Sequence, residues 1–260
     1  MVRSLLIRGM LVGILAGLLA FGFARVFGEP QVDAAIAFEE SRSAQQEAKP
    51  APAMNMNMST APAAGQDHGN EEELVSRPMQ ASFGLLTGVL VYGAAVGGIF
   101  ALVFAFAQGR LGSLSPRATA AVVAAIGLAT IVIVPQLKYP ANPPAVGNPD
   151  TIGLRTALYF SIVALSVLVA IAALNTANRL AASLGRWNAN LIAAAAYVVV
   201  MAIAMLVLPG VHEVPADFSA DVLWNFRVAS LGIHVVLWTT LGLVFGILAQ
   251  KLMQPEGRRA

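Results

Sequence analysis

The sequence predicts an all-α, polytopic membrane protein, and three observations support this fold class. Of the 260 residues, 57% are hydrophobic and only 12% are charged, whereas soluble proteins carry about 25% charged residues. Six apolar windows are each long enough to cross the hydrocarbon core of a bilayer. Basic residues are concentrated in alternate connections between these windows, as expected for a chain that crosses a membrane repeatedly.

The six apolar windows account for about half of the chain. They cover residues 4–27, 83–107, 118–137, 154–174, 189–208 and 228–249. A helix of about 20 residues spans the hydrocarbon core, so each window can cross it once. We therefore expect a single integral membrane domain, residues 1–260, with six transmembrane helices.

The first window has an alternative interpretation as a secretory signal. Basic residues precede it, and cleavage after Ala24 would leave five transmembrane helices. However, Gly9, Gly13 and Gly17 form a face of small residues that allows another helix to approach closely. A discarded peptide has no need of such a face, so we expect the first helix to be retained.

The distribution of charge predicts that both termini are cytoplasmic. With this orientation the cytoplasmic segments hold nine basic residues and one acidic residue, a net charge of +8. The opposite segments hold seven basic and 13 acidic residues, a net charge of −6. Connections rich in Arg and Lys stay in the cytoplasm, which places the acidic connections outside.

The longest outside connection is an acidic extracytoplasmic loop, residues 28–82. Its central part, residues 41–73, has almost no large apolar side chains and is predicted to be a flexible, low-complexity linker. The linker contains four side chains that could bind a soft metal such as Cu(I), namely Met54, Met56, Met58 and His68. The alternative is that these residues only reflect a biased composition.

The connection between the last two windows contains the densest group of metal-binding side chain types. These are His212, Glu213, Asp217 and Asp221. Imidazole together with carboxylates suits Co²⁺, Ni²⁺ or Zn²⁺ better than Mg²⁺. The alternative is a solvated polar loop without a metal.

A further candidate metal ligand, His234, lies in the last window. It follows Arg227 by seven residues, so the two side chains share one helix face. An ionisable residue inside a membrane helix is a functional candidate. The alternative is a neutral imidazole that donates a hydrogen bond to a neighbouring helix.

Several kinds of chemistry lack their residues in this chain. There is no cysteine, which excludes thiolate metal centres and disulfides. No Walker, dinucleotide-binding, His-Glu-x-x-His or Gly-x-Ser-x-Gly motif is present. No carboxylate lies deep inside a window, which argues against a proton relay. We therefore do not expect an enzyme, a permanently bound cofactor or a nucleic-acid partner.

Three stretches of the chain form a recognisable pattern, residues 8–33, 135–144 and 208–218, and the string Lys-Tyr-Pro-Ala-Asn-Pro-Pro at residues 138–144 is the most specific part of it. Together they resemble the CbtA family of probable cobalt transporter membrane proteins. The resemblance implies a multi-pass protein of the bacterial inner membrane with about five spans. It also implies Co²⁺ as the substrate and a small single-span partner subunit with a histidine motif.

Two functional hypotheses follow. The first is a membrane subunit of a divalent metal uptake system, with Lys138, Tyr139 and Asn142 forming an outer vestibule together with the loop at 212–221. The second is a non-transporting scaffold or assembly subunit, whose small-residue helix faces bind other membrane proteins or a second copy of the chain. A membrane-embedded enzyme fits the sequence least well.

Overall fold

The fold is known from a computed structural model, which describes residues 1–47, 76–144 and 146–253. All regular structure in these residues is helical, and five helices are long and apolar enough to cross a membrane. We label them in chain order as α1 (Val2–Gln45), α2 (Arg77–Ala107), α3 (Pro116–Lys138), α4 (Pro149–Val207) and α5 (Ala220–Met253). The predicted all-α membrane fold class is thus confirmed, with five helices in place of the six that were expected.

The difference in number arises in α4, which takes up two of the apolar windows. It is 59 residues long, or about 88 Å if it were straight, against a hydrocarbon core of about 30 Å. The connection expected at 175–188 is helical, apart from Gly185 with φ +75° and ψ 155°. Glycine adopts a positive φ at little cost because it lacks a Cβ. The helical backbone of α4 therefore breaks at Gly185, and the polar residues on either side of it stay helical.

The two parts of α4 lie side by side. Ser166 Oγ and Tyr197 OH are 2.7 Å apart, whereas 31 residues of straight helix would separate them by about 46 Å. Ile162 and Met201 are buried in the same apolar cluster. We refer to residues 149–184 as α4a and to 186–207 as α4b.

The predicted extracytoplasmic loop begins and ends as helix. The helical backbone of α1 continues to Glu47, and α2 starts at Arg77. The linker candidates Met54, Met56, Met58 and His68 lie outside the described residues.

The main core lies between α1, α2, α3 and α5. Its fully or almost fully buried side chains include Leu5, Phe104, Val132, Leu241 and Phe245. The rings of Phe104 and Phe245 meet edge to face, with centroids 5.1 Å apart. Each helix also exposes large apolar side chains away from this core, for example Leu11, Ile99, Ile133, Leu168 and Leu243. A surface of this kind fits lipid rather than water as the surrounding medium.

The closest helix packing joins α1 and α2 through five glycines, which we call the glycine seam. They are Gly9, Gly13, Gly17, Gly93 and Gly97. A Cβ added to Gly13 would overlap the carbonyl oxygen of Gly93, and one added to Gly97 would overlap that of Gly9. The two backbones therefore touch directly, which the four-residue spacing predicts.

The two ends of the bundle hold different segments. At one end, the arginine end, Arg8 donates to the carbonyl of Leu248 at 3.2 Å, and the guanidinium of Arg186 lies beside Gly112. The other end, the loop end, holds the last turns of α1, the start of α2, the connection described at 139–144 and 146–148, and the connection at 208–219. There Arg77 Nη2 donates to Glu29 at 2.6 Å.

Candidate functional site

The loop end contains a cavity of about 890 Å³. Four stretches of the chain line it, the end of α3 with the loop that follows, the start of α4, the α4–α5 connection and one face of α5. Sites for small molecules typically measure about 300–1,000 Å³. The loop-end cavity is therefore large enough for a small molecule as well as for a hydrated ion.

The proline-rich loop after α3 forms one wall of the cavity and is fixed by hydrogen bonds to distant residues. Tyr139 OH donates to the carbonyl of Pro209 at 2.9 Å. Arg227 donates to the carbonyl of Ala141 at 3.2 Å and to Asn142 Oδ1 at 2.9 Å. Burial raises the pKa of Tyr139 above its ordinary value of 10.0, so its hydroxyl remains a donor. Prolines restrict the backbone further, which makes this wall rigid.

The carboxylate of Glu213 holds the opposite loops together. It accepts hydrogen bonds from Thr151 Oγ1 at 2.7 Å and from the backbone N–H of Asn148 at 2.8 Å. Arg155 Nε lies 3.3 Å from the same carboxylate. The hydrogen bond from Thr151, then that from Asn148, then the charge of Arg155 lower the pKa of Glu213 below its ordinary 4.5. Glu213 is therefore ionised at neutral pH and already has protein partners.

Two imidazoles reach the cavity from different elements. His212 is an exposed residue of the α4–α5 connection, and His234 comes from α5. Nδ1 of His234 is buried and has no hydrogen-bond partner among the described residues. The alternative of a hydrogen bond from Nδ1 to a neighbouring helix is therefore not seen within that part of the chain.

The remaining predicted metal ligands lie elsewhere. Asp217 forms an ion pair with Arg42 at 3.7 Å, and Asp221 is exposed in the first turn of α5. Neither lines the cavity. Within residues 1–47, 76–144 and 146–253, no three His, Asp or Glu side chains come together as a metal site. A metal held by His212 and His234 would therefore need further ligands from water or from another molecule.

The predicted vestibule residues Lys138, Tyr139 and Asn142 all line the cavity. Arg155 and Arg227 line it as well, although they were not among the site residues expected from the sequence. Each lies where a proline-containing connection meets an apolar window, Arg155 as the second residue of the window 154–174 and Arg227 directly before the window 228–249. That position is the signal in the sequence that could have identified the two arginines as site residues. It is a weak signal, because a lone arginine at a helix start is common in membrane proteins.

The comparison with known families agrees with the resemblance noted in the sequence. The sequence profile of the family described as "Probable cobalt transporter subunit (CbtA)" matches residues 2–250, nearly the whole chain. No curated protein and no solved structure gives a significant match. The match covers the helices, except for the last three residues of α5, and all the connections that line the cavity. The chain therefore belongs to the CbtA family of probable cobalt transporter subunits.

Proposed function

We propose that the protein is the membrane subunit of a divalent metal uptake system in a bacterial inner membrane, with Co²⁺ as its substrate. Membership of a cobalt transporter family supports the substrate. The observation that carries the proposal is the cavity at the loop end, into which α5 and the α4–α5 connection each present one imidazole. Neutral imidazole is a good ligand for late first-row metals such as Co²⁺.

The proposed topology has six spans, with both termini in the cytoplasm and the first helix retained. The non-helical Gly185 and the contact between Ser166 and Tyr197 support α4a and α4b as separate crossings. The loop end, which holds the acidic segments, then faces outward, and the arginine end faces the cytoplasm.

In this arrangement the cavity is the outer vestibule of the transport route. Lys138, Tyr139 and Asn142 form its rigid wall, His212 meets the metal at the exposed side, and His234 receives it from α5. Two protein ligands bind weakly enough to release the ion, which conduction requires. The small single-span partner with its histidine motif would take part in capture or in energy coupling, since no nucleotide motif is present. Met54, Met56, Met58 and His68 stay candidates for capturing a metal from outside.

Cellular uptake of radiolabelled cobalt tests this proposal. Cells that express the chain with its small partner should accumulate cobalt above background. We expect His212→Gln and His234→Gln each to lower uptake about tenfold or more, as loss of a metal ligand does. Asn225→Ala is the matched control, because Asn225 lies on α5, is exposed and does not line the cavity.

Two results would contradict the proposal. Background uptake with and without the partner, together with normal membrane insertion, would favour the scaffold hypothesis. A reporter fused after Arg259 that is active outside the cytoplasm would contradict the topology.

A further inference from the structure

The loop-end cavity carries positive charge. Three basic side chains line it, Lys138, Arg155 and Arg227, and no Asp or Glu is among its lining residues in the described part of the chain. This is the opposite of what a site for a bare divalent cation needs, because like charges repel most strongly where water is partly excluded.

Only one of the three cations has an ionic partner within the described residues. Arg155 pairs with Glu213 at 3.3 Å. Arg227 is half-buried and its hydrogen bonds go to neutral acceptors, the carbonyl of Ala141 and the side-chain oxygen of Asn142.

The ammonium group of Lys138 shows a similar lack of counter-charge. Its Nζ lies 5.9 Å from the centre of the Tyr139 ring, and no carboxylate of residues 1–47, 76–144 or 146–253 lies within 4.0 Å of it. Two cations without an ionic partner beside one cavity give it a positive potential that attracts anions. Guanidinium and ammonium groups bind carboxylate and phosphate oxygens well, with arginine doing so in a bidentate manner.

We propose that the loop-end cavity binds an anion with two or more carboxylate or phosphate groups, held by Lys138 and Arg227. It follows, if the proposed transport function holds, that Co²⁺ reaches His212 and His234 as an anionic chelate and not as the bare ion. The chelating oxygens supply the metal ligands that the two imidazoles lack. The cavity volume of about 890 Å³ accommodates a tricarboxylate with its metal.

Equilibrium binding of radiolabelled citrate to the purified full-length chain in detergent tests the site without any metal. We expect saturable binding that weakens about tenfold in Lys138→Gln and in Arg227→Gln, since each removes a charge-assisted contact. Arg110→Gln is the matched control. Arg110 bonds the carbonyl of Phe106 at the arginine end and does not line the cavity, so its loss should leave citrate binding unchanged.

The same assay with cobalt tests the chelate. We expect Co²⁺ with citrate to bind more tightly than Co²⁺ alone, and His212→Gln and His234→Gln to remove this gain while leaving citrate binding intact. If citrate does not bind, or if both cation variants bind it like the unmodified chain, the anion site is overturned. If Co²⁺ alone binds as tightly as the citrate complex, the chelate is overturned.

The phosphate of a lipid headgroup could occupy the same site. A separate experiment therefore distinguishes a lipid anion from a soluble anion. The chain is placed in nanodiscs of phosphatidylcholine and of phosphatidylglycerol, and citrate binding is measured in both. Loss of citrate binding only with phosphatidylglycerol would identify a lipid anion in the site and overturn the chelate. Equal citrate binding in both discs supports the soluble anion.

The anion site and transport can fail independently. Citrate binding without any cellular cobalt uptake would contradict transport and leave the anion site. Normal cobalt uptake by a chain that binds no citrate, with uptake unaffected in Lys138→Gln and Arg227→Gln, would overturn the anion site and leave transport.

Discussion

The glycine seam and the loop-end cavity are packed in opposite ways within the same bundle. In the seam, α1 and α2 approach until backbone meets backbone, and no side chain separates Gly13 from Gly93 or Gly9 from Gly97. In the cavity, side chains from four stretches stand apart around about 890 Å³. Close contact on one side thus provides a fixed frame, and a few long-range hydrogen bonds hold the open space on the other.

Stability and function are located in different parts of the bundle. Within lipid, apolar contact gives helices no hydrophobic reason to associate, so association depends on van der Waals packing and backbone approach. The seam provides both. The cavity is held by polar contacts such as Arg227 with Asn142 and Tyr139 with Pro209, which can be altered without removing the frame.

The largest expected effect comes from adding one methyl group to the seam. In Gly97→Ala the new Cβ would overlap the carbonyl oxygen of Gly9, so α1 and α2 must separate. We expect a loss of stability of about 3 kcal/mol, at the upper end of overpacking costs. The thermal midpoint measured by size exclusion in detergent would show it.

Gly88→Ala is the matched control for this substitution. Gly88 also lies in α2, but an added Cβ there meets nothing within 4 Å. Its midpoint should be unchanged or slightly higher, because alanine favours the helix. Equal midpoints for the two variants would show that the seam does not hold the bundle.

A smaller loss of stability is expected from adding a methyl group at Gly147, in the loop beside the cavity. This residue has φ +118°, and an added Cβ would overlap the guanidinium of Arg155. Gly147→Ala should therefore destabilise the chain by about 1–2 kcal/mol, the cost of forcing an L-residue into this region. Displacing Arg155 from Glu213 adds to the loss. The same thermal measurement applies.

Gly153→Ala controls for glycine substitution near this loop, because a Cβ at Gly153 meets nothing within 4 Å. A midpoint for Gly147→Ala equal to that of Gly153→Ala would mean that the loop adjusts freely. The wall of the cavity would then be less rigid than its hydrogen bonds indicate.

The seam and the cavity also differ in how far the sequence predicts them. Gly9, Gly13 and Gly17 recur every four residues, and this local spacing predicts a packed helix face without knowledge of the fold. The apolar windows likewise predicted the helical membrane fold, because hydropathy is also a local property of the sequence. The sequence predicted a polar loop at 175–188, whereas the helix breaks only at Gly185. Hydropathy marks residues that leave the lipid, and such residues can remain helical.

The cavity depends on contacts that no local pattern contains. Arg227 reaches Asn142, which is 85 residues earlier in the chain, and Thr151 reaches Glu213, 62 residues later. The sequence indicated Glu213 as a metal ligand because its type and its neighbour His212 fit that role. Its three protein partners are visible only once α4 and the α4–α5 connection are placed together.

The hydrogen bonds of Glu213 predict a pH dependence confined to the cavity loops. The folded chain lowers the pKa of this carboxyl below 4.5, so its contribution to stability is present above pH 4.5 and is lost as the pH falls through the lower, folded pKa. The backbone N–H of Asn148 donates to this carboxylate. Its hydrogen-exchange protection factor should therefore drop on acidification below pH 4.5.

Two variants identify the titrating group. In Glu213→Gln the protection of the Asn148 amide should be lower at neutral pH and should no longer change over this range. Asp150→Asn, in the first turn of α4 and two residues after Asn148, should keep the pH dependence of the unmodified chain. If Glu213→Gln and the unmodified chain give the same profile, a different group controls the loop.

The smallest expected effect concerns the ion pair between Arg42 and Asp217, which links the extension of α1 to the α4–α5 connection. The charged atoms are 3.7 Å apart and the side chains are 43% and 61% exposed. Water and salt screen such a pair, so a double-mutant cycle with Arg42→Gln and Asp217→Asn should give a coupling energy below about 0.5 kcal/mol. A coupling above about 1 kcal/mol would mean that this pair is shielded from water. The extension of α1 would then belong to the frame of the cavity, and the division between a rigid seam and a separately held cavity would have to be redrawn.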